Sequence, residues 1–126
     1  MPSIKAVVII DDSHEDRFFL RRALRRIAPD CEVVEFPYAD EALSFMRSPG
    51  RPLLDLIFVD INMPRMDGFE FVDAYNDLYP ELKGDARVVV MSSSINPADR
   101  TRADGHPAVD EYLEKPIPAD RLAKII

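Results

Sequence analysis

Two adjacent aspartates, Asp11 and Asp12, close an apolar run at residues 4–10, and a third, Asp60, closes another at residues 53–59. Other polar groups take matching positions: Ser92-Ser93-Ser94 follows the apolar stretch 88–91, and Lys115-Pro116 follows 109–113. Carboxylates brought together repel by roughly 4 kcal/mol per pair at about 4 Å and an effective dielectric near 20, so three of them call for a cation. Hard oxygen donors in this number suit Mg²⁺, which binds a few carboxylates, keeps several waters and completes its shell with phosphate oxygens. A carboxylate neutralised in this way can attack phosphorus to give an aspartyl phosphate. Lys115 and the Ser92 hydroxyl are then placed to stabilise charge on the equatorial oxygens.

Taken singly, each group has an ordinary structural explanation, because Asp11-Asp12 can cap a helix and three serines can form a turn. Aspartates ending two separate apolar runs, with a hydroxyl and a Lys-Pro in matching places, are a poor fit to coincidence.

Those places have meaning only if the apolar runs are strands of one sheet. The stretches 4–10, 53–59 and 88–91 are short, rich in β-branched residues and nearly unbroken, as strands buried on both faces are. Residues 32–36 read as a further strand and 109–113 as a fifth. Helical periodicity fills the gaps. Ser13 is a candidate N-cap with Asp16 three residues on, followed by Leu20, Ala23, Leu24 and Ile27 on one face, and Pro29 stops that helix. Residues 39–47 and 68–78 follow the same logic, the second ending before Pro80. Asn96-Pro97 opens a shorter helix that Asp104-Gly105 closes, and 119–126 places Leu122, Ile125 and Ile126 on a final stripe. Strand and helix alternating five times predict a doubly wound α/β sandwich, with ligands at the carboxyl edge of the sheet.

The chain's 126 residues, 47% apolar and 31% charged, fit one globular domain, expected over residues 1–126 with no output domain. A net charge of −7 and no long basic run argue against direct nucleic-acid binding. Arg21, Arg22, Arg25 and Arg26 fall late in a helix, where cations favour the negative end of its dipole, and read as a solvated face. A lone cysteine, Cys31, no leader and no membrane-length apolar stretch make the cytoplasm the expected compartment, with no membrane partner.

With these residues in place, the chain resembles the response regulator receiver family, the phosphoacceptors of two-component signalling. The segment Asp60-Ile61-Asn62-Met63-Pro64-Arg65-Met66-Asp67-Gly68 is similar to that family's phosphorylation strand and loop, and Asp11-Asp12, Ser92 and Lys115-Pro116 complete the pattern. The resemblance implies a flavodoxin-like five-stranded parallel sheet of order 2-1-3-4-5 with helices on both faces. It implies Asp60 as the phosphorylated residue, and Asp12, Asp60 and the Asn62 carbonyl as direct Mg²⁺ ligands, with Asp11 acting through a water. Lys115, the Ser92 hydroxyl and the Ser93 amide would bond the phosphate, and Tyr112 would couple its own burial to the movement of Ser92. A cis Lys115-Pro116 bond is implied as well, while Arg65 and Met66 are expected to be loop residues without chemistry. Gly68 is expected to hold a conformation that a β-carbon opposes.

The implied phosphodonor is a histidine kinase, hybrid kinase or phosphotransfer protein. Output would pass to a downstream protein by contact, with a homodimer possible and no enzymatic turnover beyond self-directed phosphotransfer and autodephosphorylation. Residues 104–109 depart from the family's usual approach to the fifth strand, so the preceding helix is expected to be short or displaced. His14 and His106 read as surface histidines. Two alternatives stand beside this reading: an aspartyl-nucleophile phosphohydrolase and an unphosphorylated adaptor of the same fold. Asn62 stands where such hydrolases carry a second aspartate and no cap segment is evident. The adaptor would not need so complete a pocket.

Overall fold

Runs of β-branched and apolar residues pair into one all-parallel sheet in the computed structural model, which describes residues 4–78 and 80–126; positions 1–3 and 79 of the expected domain lie outside the described residues. The strands are β1 (Ala6–Ile10), β2 (Glu32–Phe36), β3 (Leu56–Asp60), β4 (Arg87–Ser92) and β5 (Glu111–Glu114). Their order is β2-β1-β3-β4-β5, as the resemblance implied. The helices are α1 (His14–Ile27), α2 (Ala39–Arg47), α3 (Gly68–Asn76), α4 (Pro80–Lys83), α5 (Pro97–Asp104) and α6 (Ala119–Ile125).

Alternation along each strand divides the core into two layers. Val8, Ile10, Ile57, Val59, Val88 and Val90 pack under α2 and α3, against Ala42, Met46, Phe71 and Val72. Val7, Ile9, Leu56, Phe58, Val89 and Met91 face the other way, against Leu20 and Leu24 of α1 and Leu122 and Ile125 of α6. Apolar residues on both faces explain the unbroken runs in the sequence.

Several boundaries differ from the sequence reading for local reasons. The third strand starts at Leu56 rather than 53: Leu53 is 72% exposed. Asp55 folds its carboxylate back onto the amides of Lys5 and Ala6. The fifth strand starts two residues later than expected, because Val109 is still bonded to the His106 carbonyl in a turn. Helix α3 ends at Asn76, and Pro80, read as a stop, instead opens α4, since a fixed φ and a missing N–H suit a first helical turn. Helix α5 is short, at 8 residues, as the departure at 104–109 predicts.

Candidate functional site

Strand register decides which side chains meet at the carboxyl edge. Ile10 pairs with Val59, so Asp11 and Asp60 emerge level on neighbouring strands, and Asp60 in turn pairs with Met91, one residue before Ser92. Backbone bonds continue past the strand ends, from Ile61 N–H to Met91 O at 3.0 Å and from Lys115 N–H to Ser92 O at 2.8 Å, so the edge is held firmly. Asp11, Asp12 and Asp60 each offer a carboxylate oxygen, and these lie within 4.8 Å of one another.

Asp11 is 1% exposed and Asp60 5%, whereas Asp12 faces solvent. The Lys115 ammonium lies across the cluster, 2.6 Å from Asp11 Oδ2, 2.9 Å from Asp16 Oδ2 and 3.5 Å from Asp60 Oδ2. Burial pushes the Asp60 carboxyl up to about 6 even though Lys115 pulls it down, and the Asp11 charge adds to the rise. For Lys115, burial works against the charge, but the hydrogen bonds to Asp11 and Asp16 win and hold the ammonium above its ordinary value. One ammonium among four carboxylates leaves the site strongly negative. A further, divalent cation is the charge that this set of hard oxygen donors fits.

Asp60 is also oriented by its own loop, its Oδ1 accepting from the Asn62 N–H at 3.3 Å. Ser13 N–H donates to Asp11 Oδ1 at 2.9 Å, and an Arg17 guanidinium N–H donates to the Asp11 carbonyl at 2.6 Å. Ser92 is fully buried, with its Oγ accepting from Ser94 N–H at 2.9 Å, while Ser93 is exposed beside it. Tyr112 is buried, with the Arg100 guanidinium 5.6 Å from its ring centre. The Lys115-Pro116 bond is cis, as the resemblance implied.

Two sequence expectations need correction, those for Gly68 and His106. Ser13 caps α1 as expected, accepting from Asp16 N–H at 3.2 Å, while the Asp16 carboxylate goes to Lys115. The contact spans 99 residues of sequence, and nothing local signals it. Gly68 has no positive φ; what it supplies is space, since a β-carbon there would lie 2.5 Å from the Asp60 carbonyl oxygen. His106 is half-buried rather than a plain surface residue: its Nε2 lies 2.6 Å from Asp73 Oδ1, and its Nδ1 accepts from Ala108 N–H at 3.1 Å. His14 is exposed, as expected.

Residues 7–126 match the family model for the response regulator receiver domain. The chain is 30% identical over 125 residues to the sensor histidine kinase CheAY of Helicobacter pylori, covering 99% of this chain and 15% of that protein. It spans between 15% and 38% of the length of the first curated relatives it matches. It is similar in structure to a two-component response regulator from Cytophaga hutchinsonii, with a TM-score of 0.84 and 28% identity over 98% of this chain and 95% of the other. A response regulator receiver protein from Dyadobacter fermentans superposes equally well, with a TM-score of 0.84 and 28% identity over 96% of this chain and 94% of that one. No helix among the described residues is long and apolar enough to cross a membrane.

Proposed function

This chain belongs to the response regulator receiver family, and on that premise we propose that it accepts a phosphoryl group on Asp60, in a Mg²⁺-dependent reaction, from a histidine kinase, hybrid kinase or phosphotransfer protein in the cytoplasm. The observation that carries the proposal is the cluster of Asp11, Asp12 and Asp60 oxygens within 4.8 Å of one another, with the Lys115 ammonium set against it. Asp12, Asp60 and the Asn62 carbonyl would hold the ion, with Asp11 bonded through water. The ion would neutralise the carboxylates and polarise the incoming phosphoryl group.

The chain's own residues do the rest. An Asp60 carboxylate oxygen forms the new P–O bond as the donor's P–N bond breaks and its imidazole leaves with the electron pair. Lys115 exchanges part of its bonding to Asp11 and Asp16 for a phosphate oxygen. Ser92 gives up its acceptor role toward Ser94 N–H to donate its hydroxyl to the phosphate, and the Ser93 amide adds a second donor. Tyr112 packs against the space that Ser92 leaves, which carries the change to the β5 face and to a protein partner. Phe19, 61% exposed on α1, stands beside a cleft of about 140 Å³ that includes Asp11, Asp16 and Lys115, an apolar approach suited to a phosphodonor helix.

Incubation with Mg²⁺ and acetyl phosphate should add one phosphoryl group by intact mass, sensitive to hydroxylamine. Sustained turnover of a sugar or nucleotide phosphate would instead make the chain a hydrolase, and no reaction at all would make it an adaptor. Lys115→Ala should still be labelled, with Mg²⁺ binding largely intact, yet lose the change in hydrogen exchange around β5 that phosphorylation produces in the wild type. An unchanged exchange response would remove Lys115 from the switch.

A further inference from the structure

The loop that joins Asp60 to α3 contains one residue in a conformation its type opposes. Arg65 has a φ of 73°, in the left-handed region that disfavours side chains with a β-carbon. It lies at the centre of a three-residue turn closed by Met66 N–H to Pro64 O at 2.9 Å. Positive φ at the centre marks the rarer and more strained form of such a turn. Strain of this kind persists only where the surroundings hold it.

The surroundings are visible. The Arg65 guanidinium lies 4.1 Å from the centre of the Tyr38 ring, donates to Asp40 and stands 3.8 Å from Glu41. Tyr38 is the N-cap residue of α2, and Asp40 and Glu41 form its first turn, so one side chain ties the β3–α3 loop to a separate element. The same loop carries Asn62, whose amide orients Asp60. At its far end the loop is fixed by Gly68 N–H to Ile61 O at 3.2 Å and by the reciprocal Asp67–Glu70 cap of α3. Between those two fixed ends, Arg65 is the tether that spans outward.

We propose that Arg65 is a positioning residue for the phosphoacceptor site: by clamping the β3–α3 loop onto Tyr38 and Asp40, it holds the Asn62 backbone and Asp60 in the arrangement that receives Mg²⁺. The inference rests on the reading of Asp60 given above. The residues that Arg65 contacts, Tyr38, Asp40 and Glu41, are none of the groups proposed to hold the ion or the phosphate, so it would set the affinity for the metal and leave the chemical step alone.

Calorimetric titration with Mg²⁺, paired with labelling by acetyl phosphate across a Mg²⁺ series, tests this. Arg65→Ala should weaken Mg²⁺ binding by about tenfold, the usual cost of removing a group that orients a metal's ligands. Its labelling rate at saturating Mg²⁺ should stay close to wild type. Arg65→Lys keeps a cation over Tyr38 but loses the planar fork, and should fall between the two. Arg65→Gly relieves the backbone strain and still lacks the clamp, so it should bind Mg²⁺ as weakly as the alanine variant while melting higher. Tyr38→Leu removes the ring but leaves the bond to Asp40, so it should weaken Mg²⁺ binding by less than the alanine variant, and the double variant should be no weaker than Arg65→Ala alone. Wild-type Mg²⁺ affinity in both the alanine and glycine variants, in protein that melts cooperatively, would overturn the positioning role alone. A wild type that binds no Mg²⁺ would overturn the reading of the site itself, and the inference with it.

Discussion

Gly68→Ala is expected to cost about 3 kcal/mol or more, roughly 10 °C in melting temperature for a domain of this size, and to weaken Mg²⁺ binding along with it. The added methyl would sit 2.5 Å from the Asp60 carbonyl oxygen, 2.7 Å from the Ile61 Cα and 3.0 Å from the Asp60 carbonyl carbon. All three are backbone atoms at the end of a central strand, so no side chain can turn aside to make room. Relief requires α3 or the Asp60 peptide to move, and the second option displaces the phosphoacceptor directly. Helix propensity pulls the other way by about 1 kcal/mol at most and cannot offset a clash of this depth. Gly105→Ala is the control, because its nearest atom, the Thr101 carbonyl oxygen, is 3.4 Å away and its φ is an ordinary −85°. Thermal melts and Mg²⁺ titration of both variants check this. A Gly68→Ala protein that melts within 2 °C of wild type, by the scale of about 10 °C used above, would show that the contact relaxes freely.

Asp60→Asn should abolish labelling and, in the absence of divalent cations, make the protein more stable than wild type. Burial raises the folded-state carboxyl from 3.8 to about 6, with Lys115 opposing and Asp11 reinforcing the rise. That difference corresponds to roughly 3 kcal/mol of cost for keeping the group ionised in the folded protein at neutral pH. Since the folded value lies above the unfolded one, the stability of the wild type relative to the variant is fully retained below about pH 4 and is lost as pH rises through about 6. The advantage of Asp60→Asn should therefore be small near pH 4, grow between pH 4 and 6, and level off above that range. Saturating Mg²⁺ should reverse the order, because a ligand that binds the folded wild type more strongly stabilises it more. Melting curves at four pH values, with and without the ion, measure both effects; a difference independent of pH would contradict the burial cost.

Much of this arrangement is legible in the amino-acid order because the parallel sheet reads so directly. Unbroken β-branched runs give the strands, strands in a doubly wound sheet present their carboxyl ends together, and Asp11, Asp60, Ser92 and Lys115 fall at those ends. What escapes the sequence is contact between distant parts that no local pattern encodes. Asp16 obeys capping spacing, yet its carboxylate goes to Lys115, a choice made only once α1 and β5 stand side by side. Gly68 invites an explanation from backbone freedom, whereas the reason is the closeness of a neighbouring strand end. Arg65 reads as a loop residue without chemistry because cation–π contact with Tyr38 depends on how two loops approach one another. His106 likewise gains its partner Asp73 from the neighbouring helix, 33 residues away in sequence.

The most direct measurement is to locate the phosphoryl group itself. After reaction with acetyl phosphate and Mg²⁺, borohydride reduction converts an aspartyl phosphate to homoserine, and peptide mass spectrometry reads the position. Homoserine at residue 60, absent when Mg²⁺ is chelated, is the predicted result. Homoserine at residue 11 or 12, or labelling that persists without the ion, would contradict a site in which Asp60 is the acceptor and its acidic neighbours hold the metal.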